Sequence, residues 1–303
     1  MTRIIFMGTP DYAADILKTL IETDDVEIVA VYTQPDKPVG RKAILTPPVV
    51  KVLAQEVHIP VYQPQRLRDT AVVEELLRIE CDMIIVAAYG QILPKAILEY
   101  VPCVNLHASI LPQYRGASPI QQSLLNNDPQ TGVTAMWMDE GLDTGAIIKI
   151  STLEIGCDEM VESLYERLTQ TACELTSDIV HNWDRKSCVA QNEEDASHCT
   201  KISKSDGLTT FDNAGEIINR YRAFTPWPGI YLNSGLKLKE MKLNESQSHG
   251  TAGEIIAVDD ESILVQCAKG SLRLLKVQAP SKQETSAVAY LNGKRLGCGN
   301  ILA

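Results

Sequence analysis

Asn105, His107 and Asp143 are the residues whose types and spacing could do chemistry in this chain. Asn105 and His107 stand two apart, so in an extended segment their side chains emerge on one side. One offers an amide donor and the other an imidazole, a pair suited to an oxyanion that appears only in a transition state. Losing such a donor costs on the order of 3 kcal/mol. Asp143 lies in Met138-Asp139-Glu140-Gly141-Leu142-Asp143-Thr144-Gly145, a tight loop between apolar runs. A carboxylate beside His107 could orient or charge the ring and help take a proton from an attacking amine. Each residue also has a plainer use, because Asn caps turns, a buried His can be a satisfied core residue, and Asp and Gly are common in turns.

Positioning such a trio takes a strand end and a neighbouring loop. Residues 3–7 form an apolar run that ends at Gly8, residues 12–21 have a helical pattern, and residues 26–33 are β-branched. Residues 71–79 read as helical, with apolar runs at 83–88 and 101–106. Short apolar runs separated by helices predict a Rossmann-like, mostly parallel α/β sheet with helices on both faces. Ligands of such sheets sit at the carboxyl ends of the strands, and Asn105 and His107 fall at one. A helix over 159–183 closes a first domain of residues 1–185. The polar run 191–197 has little to bury and reads as part of a linker, 186–204. A helical pattern at 214–223 and short strands at 230–232, 253–258, 262–268 and 271–277 predict a small β-barrel domain over 205–303.

Several functions are disfavoured. A dinucleotide fingerprint needs three glycines after the first strand. Here Gly8-Thr9-Pro10 supplies one, and Pro10 lacks an amide donor. There is no phosphate-cradling P-loop sequence. The eight cysteines form no Cys-x-x-Cys pair, which points to free, mostly buried thiols and not to zinc or redox chemistry. No apolar run approaches the ~20 residues that span a bilayer, and no leader pattern is apparent, so a soluble cytoplasmic protein is expected. The net charge of −11 argues against indiscriminate nucleic-acid binding. It is uneven: residues 1–185 hold 14 Lys and Arg against 26 Asp and Glu, a balance of −12, while residues 186–303 hold 14 against 13, or +1.

Asn-x-His followed by Ser109-Ile110-Leu111-Pro112, then Arg115-Gly116, then Gly141-Leu142-Asp143-Thr144-Gly145, resembles the folate-dependent formyltransferases. The resemblance implies formyl transfer from 10-formyltetrahydrofolate to an amine, with no metal. Asn105 and His107 would polarise the formyl oxygen and stabilise the tetrahedral intermediate, and Asp143 would assist proton transfer. Ser109, Ile110, Leu111 and Pro112 would border the folate. Its pterin would enter a pocket near residues 88–93, including Gly90, Gln91 and Ile92.

The rest of the chain bears on the amine. Gly8-Thr9-Pro10, residues 33–41, Ala88-Tyr89-Gly90-Gln91-Ile92-Leu93-Pro94, Ala117-Ser118-Pro119-Ile120-Gln121, Thr200-Lys201-Ile202-Ser203-Lys204 and residues 222–229 resemble the members of that family that act on initiator methionyl-tRNA. The loop 34–48, with four prolines and the pair Arg41-Lys42, reads as a long, irregular excursion. By the resemblance it enters the acceptor stem, with Arg41 matching the central arginine. The second domain would be an OB-like barrel that binds tRNA, with Lys204 and Arg222 as candidate contacts beside Lys201, Arg220, Lys237, Lys239 and Lys242. Tyr12 stands where the family usually has Phe, and Gln113 where Arg is common. The expectation is a monomeric, non-membrane enzyme that formylates methionine on initiator tRNA. Its rivals are a formyltransferase acting on an amino-sugar nucleotide and a non-catalytic RNA- or folate-binding protein.

Overall fold

A computed structural model describes residues 1–40, 42–182, 188–245 and 248–302. The chain divides into two compact units. One comprises residues 1–119, 130–155 and 164–199, and the other 120–129, 156–163 and 200–303.

In the first unit, β1 (Thr2–Gly8), α1 (Asp11–Glu22) and β2 (Val26–Tyr32) come first. A ribbon of β3 (Lys37–Val39) and β4 (Ile44–Thr46) follows, then α2 (Val49–Glu56), β5 (Val61–Tyr62), α3 (Thr70–Leu76), β6 (Met83–Ala87), α4 (Lys95–Leu98), β7 (Cys103–His107) and β8 (Arg115–Gly116). After α5 (Pro119–Leu125), which from residue 120 belongs to the second unit, come β9 (Gln130–Trp137), β10 (Ile147–Glu154), α6 (Val161–Asn182), in the first unit from residue 164, and β11 (His198–Cys199). The main sheet has the order β10-β9-β7-β6-β1-β2-β5. Its strands from β7 to β5 are parallel, while β9 and β10 are antiparallel additions.

The sequence explains this order of layers. Met83-Ile84-Ile85-Val86-Ala87 is buried throughout, as a strand covered on both faces must be. On α1 the buried residues Tyr12, Ala13, Ile16, Leu17 and Leu20 recur at helical spacing, and Asp11 in the first turn suits the positive end of the helix dipole. Each fully buried Ile or Leu contributes roughly 1.5–3 kcal/mol of transfer free energy. The chain passes from β1 outward to β2 and β5, then returns to β6 on the other side of β1. The topological switch therefore lies between β1 and β6, one strand from β7. Four of the eight thiols are buried and Cys157 and Cys298 are exposed, so the expectation of mostly buried thiols holds for half of them.

The loop 34–48 is more regular than its prolines suggest. Residues 37–39 pair antiparallel with 44–46, and Pro38 fits because the ribbon is short and exposed. Arg41 lies outside the described residues.

In the second unit, α7 (Ala214–Phe224) is capped by the Asn213 side chain, which accepts from Gly215 N and Glu216 N. The strands β12 (Ile230–Tyr231), β13 (Lys237–Glu245), β14 (Ile255–Val258), β15 (Ile263–Gln266), β16 (Ser271–Gln278) and β17 (Thr285–Ser286) make one antiparallel sheet, and α8 (Ala287–Lys294) follows. Among them β13 and β17 were not foreseen, nor was α8. Register shifts at Glu240 break the alternation of β13, so Leu238 and Met241 are both buried three residues apart.

Candidate active site

The strand period places Asn105 and His107 on one side of β7, with His107 as its last residue. The connection between β9 and β10 brings Asp143 onto that side. Asn105 Nδ2 donates to Asp143 Oδ1 at 3.4 Å, and His107 Nδ1 lies 3.7 Å from Asp143 Oδ2. The three residues named from the sequence therefore converge on one carboxylate. The His107 and Asp143 side chains are 7% and 12% exposed, so the pair is largely screened from water yet reachable.

Backbone groups set the directions. His107 Nε2 faces Tyr114 O at 2.9 Å. A carbonyl only accepts, so that nitrogen carries hydrogen and Nδ1 is left toward Asp143. Asp143 Oδ2 accepts from Gly116 N at 2.9 Å. Asp143 has φ of 55°, in the left-handed region where Asp is tolerated better than most residues. Two glycines are required here. A Cβ on Gly116, where φ is 118°, would meet Cys199 O at 2.2 Å, and one on Gly145 would meet Trp137 O at 1.7 Å.

Segments 88–93 and 108–116 leave the carboxyl ends of the neighbouring strands β6 and β7. Gly90 (φ 78°) and Ile92, which is 83% exposed, lie open on the first segment. The Gln91 side chain is engaged, accepting from Leu67 N at 2.7 Å and donating to Pro64 O at 3.0 Å. On the second segment Ser109 and Leu111 are buried. The Ser109 hydroxyl donates to Gln113 O at 2.6 Å, while Thr134 Oγ1 donates to Ser109 O and accepts from Leu111 N. These bonds shape the loop and leave Ile110 and Pro112 partly exposed. Tyr12 is buried with its hydroxyl donating to Leu106 O at 3.3 Å, and Gln113 is exposed.

Three residues had no assigned role in the sequence reading. Arg115 is 1% exposed. Its Nη1 and Nη2 donate to the Glu193 carboxylate at 2.9 and 2.8 Å, and its Nε and Nη2 to Gln191 Oε1 at 3.0 and 2.8 Å. The guanidinium holds the Glu193 carboxyl below its ordinary range, and Glu193 in turn raises the arginine. Gln191 Nε2 donates to Asp143 O at 2.9 Å and Gly145 O at 2.8 Å. Gln191 lies 76 residues from Arg115 along the chain, in a polar run with no pattern to mark it.

The candidate cations separate into two groups. Lys37, Lys42, Lys201, Lys204, Lys237 and Lys242 are exposed. Lys51 pairs with Asp36 at 2.9 Å, and bonds from Gln63 and Lys51 keep that carboxyl below its ordinary range. Arg220 donates to Asp206 O and Leu208 O. Arg222 is 4% exposed and donates to Glu159 O, Asn127 Oδ1 and Gly156 O, each at 2.9 Å, all within the second unit. It is placed inside and does not face outward as a tRNA contact would. Among the described residues no helix is long and apolar enough to cross a membrane, and no group of three or more His, Cys, Asp or Glu side chains could hold a metal ion.

Residues 2–180 match the formyl transferase model, and residues 201–295 match the formyl transferase C-terminal domain. The chain belongs to the formyl transferase family. It is 57% identical over 301 residues to a methionyl-tRNA formyltransferase of Sulfurimonas denitrificans, covering 99% of this chain and 100% of that protein. It is 47% identical over 299 residues to a methionyl-tRNA formyltransferase of Campylobacter jejuni, covering 98% of each. Among solved structures, the N-formyltransferase of Helicobacter canadensis in complex with folinic acid and dTDP-3-aminofucose has a TM-score of 0.68 at 19% identity, covering 91% of this chain and 99% of that one. HypX of Aquifex aeolicus with tetrahydrofolic acid has a TM-score of 0.59 at 14% identity, covering 98% of this chain and 48% of that one. At those identities the likeness is one of fold.

Proposed function

We propose that this chain transfers the formyl group of 10-formyltetrahydrofolate to the α-amino group of methionine on initiator tRNA, in the cytoplasm, for translation initiation. The observation that carries the reading is the convergence of Asn105 and His107 on Asp143 at 3.4 and 3.7 Å. The tRNA side of the reading is supported by the name its full-length relatives share.

In the reaction the amine lone pair attacks the formyl carbon, a C–N bond forms, and the carbonyl π electrons move to oxygen. Asn105 has a second Nδ2 hydrogen beyond the one directed at Asp143, and that donor would meet the oxyanion. With Asn105, His107 would polarise the formyl oxygen. Asp143 takes the ammonium proton, directly or through water. The bond from carbon to folate N10 then breaks, N10 receives a proton, and formyl-methionyl-tRNA leaves with tetrahydrofolate.

The folate would lie across segments 88–93 and 109–112. Gly90, Gln91 and Ile92 would line the pterin, with Gln91 acting through its backbone because its side chain is engaged. Ser109 and Leu111 would shape the wall that Ile110 and Pro112 present. Arg41, Lys42 and Lys204 would contact tRNA phosphates. Arg222 is left out of that set because its donors have internal partners.

Incubation with charged initiator tRNA and 10-formyltetrahydrofolate should yield formyl-methionine. No turnover on any methionyl-tRNA overturns the proposal, and turnover on an amino-sugar nucleotide instead favours the sugar-acting rival.

A further inference from the structure

Asp143 is fixed at two levels. Its carboxylate receives Gly116 N, and its backbone carbonyl receives Gln191 Nε2, which also takes the carbonyl of Gly145. One side-chain amide thus spans both sides of Thr144 and locks the left-handed turn that aims the acid. The other end of the same amide accepts from Arg115, whose next residue is Gly116. The path from Gly116 N to Asp143, to Gln191, to Arg115 and back along one peptide bond is a closed ring of hydrogen bonds around the acid.

Within the acid's own loop Asp139 Oδ1 accepts from Gly141 N at 3.0 Å and from Thr144 Oγ1 at 2.6 Å, bonds that do not reach the carbonyls of Asp143 and Gly145. The donor comes from Gln191, in the segment 188–199 of the same unit, and that segment is bonded along its length. Ser197 Oγ accepts from Tyr114 N, Arg115 N donates to Ser197 O, and β11 pairs in parallel with β8. Tyr114 is also the residue whose carbonyl meets His107 Nε2. The strap therefore fixes the backbone that orients the imidazole and the backbone that orients the acid. A buried guanidinium needs a counter-charge, and Glu193 supplies it from the same strap.

We propose that Gln191 is a positioning residue for formyl transfer, acting through the backbone of residues 143–145 to hold Asp143 against Asn105 and His107. The proposal rests on the formyl-transfer reading of that trio. It assigns Gln191 no contact with substrate, so its loss should act on the chemical step and leave both binding steps nearly intact.

The test is Gln191→Glu, with Gln191→Ala beside it. Glutamate keeps an oxygen for Arg115 and so preserves the partner of the buried cation. It replaces the amide donor with an oxygen that faces two carbonyl oxygens. The expected result is a kcat lower by about 10- to 100-fold, with KM for folate and for tRNA within about twofold and a thermal midpoint within a few degrees. A kcat within twofold of the unmutated protein overturns the proposal. So does a fall in kcat matched by equal changes in both KM values and in the thermal midpoint, which is the pattern of general unfolding. A crystal structure of Gln191→Glu reads the position itself: Asp143 moved away from Asn105 and His107 supports the proposal, and an unmoved Asp143 overturns it. Absence of turnover in the unmutated protein would instead sink the formyl-transfer reading, and the crystallographic position of Asp143 would still decide this one.

Discussion

The end of β7 and the ribbon of β3 and β4 are built on opposite terms. At Asn105 and His107 every direction is fixed by a partner: a carboxylate for the amide, a carbonyl and a carboxylate for the ring, and a backbone N–H for the acid. On the ribbon, Lys37, Val39, Lys42, Ile44 and Leu45 are all exposed. Chemistry at a reacting carbon tolerates errors of well under 1 Å, so its groups must be held before substrate arrives. Recognition of a large polyanion gains from side chains that stay free to meet phosphates. The difference predicts that substitutions at the first region act on kcat and those at the second on KM and salt dependence.

Asn105→Ala gives the hardest blow to that division. Removing a preorganised oxyanion donor should lower kcat by about 100- to 1000-fold, or roughly 3–4 kcal/mol. The fold should be nearly unaffected, because the bond lost is a single long one of 3.4 Å. Steady-state kinetics and a thermal melt check both halves, and a loss confined to KM would erase the contrast. Asp143→Asn comes next, at about 100-fold in kcat with tRNA binding retained. The amide still offers an oxygen to Gly116 N, while its NH2 replaces the acceptor of Asn105 Nδ2, so the acid function and that long bond are lost together. Near-normal turnover would mean that the acid is structural.

How much of this was legible in the sequence follows from what fixes each part. The two-residue spacing of Asn105 and His107 is a local fact, and the period of a strand converts it into a shared side. The apolar runs of β1 and β6 are local too. The need for Gly116 and Gly145 is not, since each meets a carbonyl set by the fold, Cys199 O and Trp137 O. Gln191 and Glu193 sit in a run whose polarity resembles any linker, and their value depends on Arg115 being buried far along the chain. β13 was hidden by its own bulge, and the ribbon by Pro38. Exposure was the least legible property of all: Arg222 and Lys204 look alike as basic residues, yet one is interior and the other faces water.

That pair sharpens the comparison inside the second unit. Arg222→Leu removes donors from three buried oxygens, and hydrogen bonds to a charged group are worth about 1.5–3 kcal/mol. A fall of about 2 kcal/mol in unfolding free energy is expected by denaturant titration, with KM for tRNA unchanged while the protein is folded. A raised KM at unchanged stability would return Arg222 to the tRNA-facing group.

Arg41→Ala has the smallest expected effect and probes the loop 34–48. If Arg41 meets one phosphate, its loss raises KM for methionyl-tRNA several-fold, by about 1 kcal/mol, and reduces the salt slope of tRNA binding by about one. The folate KM and the limiting kcat should not move, because the bonds described for Asn105, His107 and Asp143 run to one another, to Tyr114 O and to Gly116 N. Measuring KM for both substrates across a salt series separates the possibilities. An unchanged salt slope would place the arginine off the phosphates, and a lost folate site would place residues 34–48 at the other substrate. Either result would show that the exposure of Lys37, Val39, Lys42, Ile44 and Leu45 does not by itself mark a recognition surface.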